Sequence, residues 1–406
     1  MKYGLIGEKL SHSYSKELHG FLGNEAYELL ELPPHAVGDF LRRADFLGIN
    51  VTIPYKETVM PFCTLDESAK KIGSVNTIVN RGGTLHGYNT DYFGFSCMAR
   101  REGISFAGRR VVILGSGGTS KTATCVARDQ GAAAVAIVSR SGENNYENLE
   151  RHAQADVLVN TTPVGMFPNT EKSPVALSGF PRLRAVMDVI YNPLRTKLLL
   201  DARARGIPAA NGLSMLAAQA FCAHRLFFAG EYGDADGDAV IEEILRKTRQ
   251  LHSNIVLIGM PGCGKTTIGA ALAEQLGLPF VDTDAVIETR TGRTGSDILR
   301  EEGEPYFRAL ERDVVAEVCA KTGQVIATGG GSVLLRENRD ALAQNGVVLF
   351  LERPLGQLAT AGRPLSVDLK VLYGRRLPLY EGLCGYKIQI GADLHANLRK
   401  IREALS

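Results

Sequence analysis

The chain has 406 residues, room for two to four domains at ~100–200 residues each. Hydrophobic residues make up 45% and charged residues 22%, the balance of a globular protein, and 46 basic against 44 acidic side chains leave a net charge of +2. That near-neutral balance excludes an electrostatic footprint for nucleic acid or an anionic membrane, and no apolar run approaches the ~18 residues of a membrane span.

Several further features bound the answer. The N-terminus reaches Glu8 and Lys9 too soon for a secretory signal. Seven cysteines stand singly at 63, 97, 125, 222, 263, 319 and 384, with no CxxC pair to suggest zinc or a disulfide framework. Glycine is enriched, 44 of 406 residues or about 11% against a usual ~7%. With no repeat behind it, the enrichment points to glycine-rich ligand loops in α/β domains. The expectation is a cytoplasmic, multidomain α/β protein whose partners are small molecules, with no nucleic acid and no membrane; its oligomeric state stays open.

In chain order, the first hundred residues carry polar groups in unusual density: Ser11-His12-Ser13-Tyr14-Ser15, Asn50-Val-Thr52-Ile-Pro-Tyr-Lys56, Gly73-Ser-Val-Asn76-Thr77 and Asn89-Thr90-Asp91. Each alone reads as a helix cap, a solvated lysine or an Asx turn. Val111–Leu114 predicts a buried strand running into Gly115-Ser116-Gly117-Gly118-Thr119-Ser120, which matches G-x-G-x-x-G/A with Ser120 in the third small position. There the backbone can approach a pyrophosphate seated on a helix N-terminus. The next strand, Val135–Val138, ends at Ser139-Arg140-Ser141, where an acidic residue would serve NAD; arginine suits a 2′-phosphate, so NADP(H) is favoured.

An acidic, glycine-containing stretch, 230–238, precedes a helical pattern with Val240, Ile241, Ile244 and Leu245 on one face. The domain join is placed at its end, Leu251–Asn254. A second strand–loop–helix unit then begins: Ile255–Ile258 leads into Gly259-Met-Pro-Gly262-Cys-Gly264-Lys265-Thr266-Thr267, a complete Walker A loop. Its backbone cradles phosphates, Lys265 reaches the β/γ oxygens and Thr266 ligates Mg²⁺. Asp282-Thr-Asp284 follows a predicted strand, with one carboxylate for the metal shell and one for an acceptor hydroxyl. Arg308 in Phe307-Arg308-x-x-Glu311 has the spacing for helix ion pairs with Glu304 and Glu311, and Gly329-Gly330-Gly331 forms a tight loop.

Over residues 1 to about 250, the motifs together resemble the shikimate dehydrogenase family. They are His12-Ser13-x-Ser15, Asn50-Val-Thr-Ile-Pro-x-Lys56, Val75-Asn76-Thr77, Asn89-Thr-Asp91, Asn160-Thr-Thr-Pro-Val-Gly165-Met166, Asp188-x-x-Tyr191-x-Pro193-x-x-Thr196 and Gly212-x-x-Met215-Leu-x-x-Gln219. The resemblance implies that Ser13 and Ser15 bind the substrate carboxylate and that Thr52, Asn76, Asp91, Tyr191 and Gln219 hold its hydroxyls. Lys56 and Asp91 form the catalytic pair. Gly115, Ser116, Gly117, Gly118, Ser139, Arg140 and Ser141 bind the cofactor. Departures are Lys16 in place of proline, Ser139-Arg140-Ser141 in place of Asn-Arg-Thr, His224-Arg225 where the family has tryptophan, and a short segment 141–155.

Residues 252–406 resemble shikimate kinase. That likeness implies ATP and Mg²⁺ held by Gly259, Gly262, Gly264, Lys265, Thr266 and Thr267, with Thr266 and Asp282 on the metal. Asp284, Arg308, Gly329, Gly330, Gly331 and Arg376 would hold the acceptor; Lys265, Asp284 and the lid arginine Arg363 carry catalysis. The lid stretch Leu355–Leu372 is short for the family.

The expected architecture is therefore an α/β substrate-binding part (1–100 and 215–250), a Rossmann-like NADP-binding part (101–214), and a P-loop kinase with a parallel sheet (252–406). The implied function is reduction of 3-dehydroshikimate to shikimate with NADPH, then phosphorylation to shikimate 3-phosphate with ATP. The alternatives are a first half that prefers quinate, or one half that is a non-catalytic ligand-binding module. The intact Lys56/Asp91 and Lys265/Asp284/Arg308 sets speak against the second.

Overall fold

The computed structural model describes residues 1–10, 13–228, 237–358 and 369–405. Three sheets follow one another along the chain. The first holds β1 (Tyr3–Gly7), β2 (Tyr27–Glu31), β3 (Gly48–Val51), β4 (Thr64–Leu65), β5 (Thr77–Arg81) and β6 (Thr84–Tyr88) in the order β2-β1-β3-β5-β6-β4. β1, β2 and β3 run parallel, whereas β5 is antiparallel to both β3 and β6. The second sheet, β7 (Arg110–Leu114), β8 (Ala134–Val138), β9 (Val157–Asn160), β10 (Ala185–Asp188) and β11 (Ala209–Asn211), has the order β11-β10-β9-β7-β8 and is wholly parallel. The third, β12 (Asn254–Ile258), β13 (Phe280–Asp282), β14 (Val325–Ala327), β15 (Gly346–Glu352) and β16 (Tyr386–Gln389), is also parallel, in the order β13-β14-β12-β15-β16.

The central strands are continuous apolar runs, Val111–Leu114 and Ile255–Ile258, because helices cover both faces of a parallel sheet. In both parallel sheets the strand order reverses beside the strand that carries the glycine loop, β7 in one and β12 in the other. Such a reversal opens a crevice at the carboxyl ends of the strands, where open α/β sheets bind ligands.

Between β8 and β9 only a short 3₁₀ stretch, Tyr146–His152, intervenes. The shortened segment therefore contributes no further strand, and β8 is the sheet edge.

The chain divides into two compact units, Met1–Met166 with Lys172–Arg249, and Gln250–Ser406 with Phe167–Glu171. Helix Gly237–His252 belongs almost entirely to the first. Its Ile241, Ile244 and Leu245 recur at helical spacing and are buried against Leu18 of helix Ser15–Phe21, Leu22 just after it, and Leu213, Ala217 and Phe221 of helix Leu213–Phe227. Leu245→Ala removes a fully buried side chain from that cluster, at a cost of about 2–5 kcal/mol. Calorimetry of the whole chain should show the first unit's transition move down while the second unit's stays in place; an equal fall in both would contradict this packing.

Candidate active sites

In the first unit, Lys56 and Asp91 come from different elements. Lys56 lies in the turn after β3, and Asp91 is the first residue of helix Asp91–Arg101. Lys56 Nζ stands 2.5 Å from Asp91 Oδ2, with the two side chains only 15% and 9% exposed. The surrounding amides fix this geometry. Asn76 Oδ1 accepts from Thr90 N at 2.7 Å and its Nδ2 donates to Thr90 Oγ1 at 3.0 Å, so Asn76 clamps the residue that precedes Asp91. Asn50 donates to Thr77 Oγ1 at 3.0 Å and accepts from Tyr27 at 2.7 Å, and Asn89 donates to Ser74. Asn50 and Asn89 belong to the sequence motifs and serve to hold the loops.

Ser13 and Ser15 meet at the N-terminus of helix Ser15–Phe21, their hydroxyls 3.1 Å apart. The ring of Tyr14 between them lies 5.0 Å from that of Tyr191, which brings Tyr191 to the serine turn. Burial pushes the Tyr191 phenol up to about 12, so it stays protonated and able to donate near neutrality. Gln219, on helix Leu213–Phe227, packs beside Gly94 of helix Asp91–Arg101. Thr52 follows β3 and its amide is tied to Ile6 O at 3.0 Å. His224, at the position of the family's tryptophan, is buried with its ring 4.6 Å from that of Phe228.

The dinucleotide loop joins β7 to helix Gly118–Asp129. Gly115 has φ +106°, a conformation that glycine adopts without strain, and its N–H bonds Val138 O at 2.8 Å. This bond sets the loop beside the end of β8, so Ser139, exposed Arg140 and Ser141 flank it. A side chain at Gly118 would point at Lys56, 3.7 Å from its Cδ. The helix end that would receive a pyrophosphate therefore abuts the lysine of the Lys56–Asp91 pair, and the glycine loop with open space at Gly117 fits a dinucleotide.

In the second unit the Walker loop joins β12 to helix Lys265–Leu276, entering through Gly264 at φ +105°. Lys265 is buried and its Nζ donates to Gly259 O at 2.9 Å and Met260 O at 3.1 Å, which holds the ammonium over the loop. Thr266 Oγ1 donates to Asp282 Oδ2 at 2.7 Å. A hydroxyl and a carboxylate oxygen side by side are hard donors that suit Mg²⁺. The other Asp282 oxygen accepts from Asp284 N at 3.0 Å, capping helix Thr283–Thr291.

The three glycines at 329–331 let charged side chains and the Walker loop approach the backbone closely. An added methyl group at Gly329 would fall 2.7 Å from Asp284 Oδ1 and 2.9 Å from Glu311 Oε1. At Gly330 it would strike Pro261 of the Walker loop, and at Gly331 it would lie 2.5 Å from a guanidinium nitrogen of Arg308. Arg308 does form the helix ion pairs that its spacing suggests, to Glu311 at 2.7 Å and Glu304 at 3.2 Å, yet it is buried and faces the glycine loop.

Glu311 also accepts from Ser332 Oγ at 2.6 Å. Arg376 is buried and donates to Gly330 O at 3.1 Å, and Tyr380 donates to the same carbonyl at 2.5 Å. The site residues expected from the sequence do not include Glu311, Ser332 or Tyr380, although the serine adjoins the glycines. Asp284 is solvent-exposed beside the glycine loop. The protein around it, then the carboxylates of Asp282, Glu311 and Glu288, raise it to about 6 against the pull of Lys265. Arg363 lies outside the described residues.

These two constellations define a class: a nicotinamide-dependent oxidoreductase followed on one chain by a P-loop phosphotransferase. Comparison with known proteins gives the families. The model of the shikimate dehydrogenase substrate-binding domain matches residues 5–78, and the shikimate kinase model matches 261–381. The chain is 35% identical over 246 residues to the NADP(+) shikimate dehydrogenase of Clostridium beijerinckii, covering 55% of this chain and 91% of that relative.

Among solved structures, shikimate dehydrogenase 1 of Peptoclostridium difficile superposes with a TM-score of 0.56 at 34% identity, covering 60% of this chain and 98% of that one. The Thermus thermophilus enzyme, solved with NADP(H) and shikimate, gives 0.54 at 30%, covering 61% and 99%. The chain belongs to the shikimate dehydrogenase family and carries a shikimate kinase domain behind that enzyme.

Gly331→Ala should displace the Arg308 guanidinium. We expect KM for the acceptor of phosphoryl transfer to rise about tenfold to a hundredfold, the scale of one charge-assisted hydrogen bond, with KM for ATP near the parent's. An unchanged acceptor KM in steady-state kinetics would remove the glycine loop from the acceptor pocket.

Proposed function

We propose that the chain is a bifunctional shikimate-pathway enzyme, reducing 3-dehydroshikimate to shikimate with NADPH and phosphorylating shikimate to shikimate 3-phosphate with ATP and Mg²⁺. The observation that carries the first half is the Lys56–Asp91 pair at 2.5 Å with Lys56 directly below the dinucleotide helix. NADPH, when bound, supplies the hydride. Reduction of a ketone builds negative charge on its oxygen, and Lys56 Nζ is the group that stabilises and protonates that atom. Asp91 orients the ammonium and accepts from the neighbouring hydroxyl. Ser13 and Ser15 take the carboxylate, and Thr52, Asn76, Tyr191 and Gln219 take the ring hydroxyls. Asn76 does so with a side chain already engaged by Thr90, so its share is also to hold Asp91 in place. Arg140, flanked by Ser139 and Ser141, reads the 2′-phosphate, and Gly115, Ser116, Gly117 and Gly118 take the pyrophosphate.

In the second half Asp284 accepts the proton of the attacking hydroxyl while Arg308 and Arg376 hold the acceptor's carboxylate over Gly329, Gly330 and Gly331. Lys265, with the loop residues Gly259, Gly262, Gly264 and Thr267, holds the nucleotide, and Arg363 takes part in catalysis. Thr266 and Asp282 hold the metal, which supplies charge neutralisation on the phosphoryl oxygens. Planar arginines suit a small anionic polyol because they grip carboxylates in two places. A cytoplasmic location is supported by seven cysteines that are all free thiols.

Paired variants test the division of labour. Lys56→Ala should lower kcat for NADPH oxidation about 10²–10⁴-fold and leave phosphorylation of added shikimate intact; Asp284→Asn should do the reverse. A Lys56→Ala protein that still reduces 3-dehydroshikimate at the parent rate contradicts the assignment.

The pH profile is a separate check. A raised carboxyl pKa keeps Asp284 protonated, and unable to accept a proton, up to about pH 6. The kinase kcat/KM for shikimate should therefore fall about tenfold per unit below pH 6. A flat profile down to pH 5 would take the role of proton acceptor away from Asp284.

A further inference from the structure

Asp188, Asn160 and Thr196 belong to motifs that the reaction above leaves without work. All three are fully or almost fully buried, and they form one polar chain through the second sheet. Asp188 is the last residue of β10. Its Oδ1 accepts from Asn160 Nδ2 at 3.0 Å and from Ile190 N at 3.1 Å, and its Oδ2 accepts from Thr196 Oγ1 at 2.6 Å. All three donors are neutral.

The chain runs onward in both directions. Thr196 caps helix Lys197–Ala204. Asn160, the last residue of β9, accepts from Thr162 N at 3.0 Å and Thr162 Oγ1 at 2.7 Å. Beside it, Thr161 Oγ1 donates to Leu114 O at 2.7 Å and lies under Gly115, 2.7 Å from where a side chain would start. On the other flank, Val189 N bonds Asn160 O at 3.1 Å and Gly212 N bonds Ile190 O at 3.0 Å, which pins the residues leading into Tyr191.

We infer that Asp188 is a positioning residue of the dehydrogenase site, its buried carboxylate locking the ends of β9 and β10 so that the dinucleotide loop and Tyr191 are set in register with each other. The inference rests on the dehydrogenase reading of this cleft. A helix cap alone would not require it, because Thr196 already caps the helix that follows. A buried carboxylate is costly unless its oxygens are hydrogen-bonded. The three donors come from the end of β9, from the stretch that leads into Tyr191 and from the cap of the following helix. Burial pushes the carboxyl up to about 7, with the three hydrogen bonds pulling the other way, so a neutral group of the same shape is a fair replacement near neutral pH.

The test compares Asp188→Ala with Asp188→Asn in the full chain, by steady-state kinetics of 3-dehydroshikimate reduction. The asparagine can still accept from Asn160 and Ile190, and it can donate to the Thr196 hydroxyl, which accepts as readily as it donates. We expect Asp188→Ala to raise KM for NADPH and for 3-dehydroshikimate together, each about tenfold or more, with kcat changing less. Asp188→Asn should restore both KM values to near the parent's. A structural role alone would lower Tm and leave both KM values of the folded fraction untouched; that result overturns the inference, as does a rise in only one of the two. If Asp188→Ala does not accumulate as folded protein, Thr196→Val removes one donor and carries the same test, with a smaller paired rise expected and unchanged KM values overturning the inference. An inactive parent chain would instead remove the dehydrogenase reading itself.

Discussion

An ammonium and a carboxylate in contact, mostly withdrawn from water, set the terms for the first unit. Lys56 and Asp91 are 35 residues apart, and neither can hold the other without help. A partly desolvated ion pair repays its desolvation only where geometry is fixed and the remaining hydrogen-bonding groups are met. The asparagine–threonine lattice around it supplies the fixed geometry: Asn76 grips Thr90 and Asn50 ties β3 to β5. The same lattice leaves Lys56 with one face towards Asp91 and its stem against the start of the dinucleotide helix. On the proposed mechanism, proton donor, orienting carboxylate and cofactor site follow from this one contact.

The second unit solves an analogous problem with glycine. Arg308 is buried between two glutamates, and a buried cation must be paired or it destabilises the fold. The partners hold the guanidinium while the glycine loop, lacking side chains, lets it stand against the backbone at Gly331 and lets Asp284 stand against Gly329. The glycine loop thus has a carboxylate at one end and a guanidinium at the other. In both units a glycine loop stands at the carboxyl end of the parallel strand beside which the order reverses, β7 in one and β12 in the other, although the strand orders differ.

Much of this was legible in the residues. Apolar runs before glycine loops located β7 and β12, and helical spacing located the buried face of helix Gly237–His252. Arg308 shows where local reasoning divides. Its spacing suggests a surface ion pair and its motif an acceptor ligand; the structure contains both ion pairs and buries the one to Glu311 beside the glycine loop. The places of Glu311, Ser332 and Tyr380 around the glycine loop are hidden in the sequence because they depend on tertiary contacts with a carbonyl or carboxylate far along the chain. Asp188 was visible only as a motif letter, since nothing local says that its partners come from β9 and from the cap of the next helix. The shortened 141–155 segment could be read as short, but that it makes β8 a sheet edge follows only from the strand order.

The most direct measurement is product analysis of the purified chain given 3-dehydroshikimate and NADPH, with and without MgATP. The account predicts shikimate in the absence of ATP and shikimate 3-phosphate in its presence, from a single polypeptide. Shikimate in both reactions would contradict the second activity, and neither product would contradict the account as a whole.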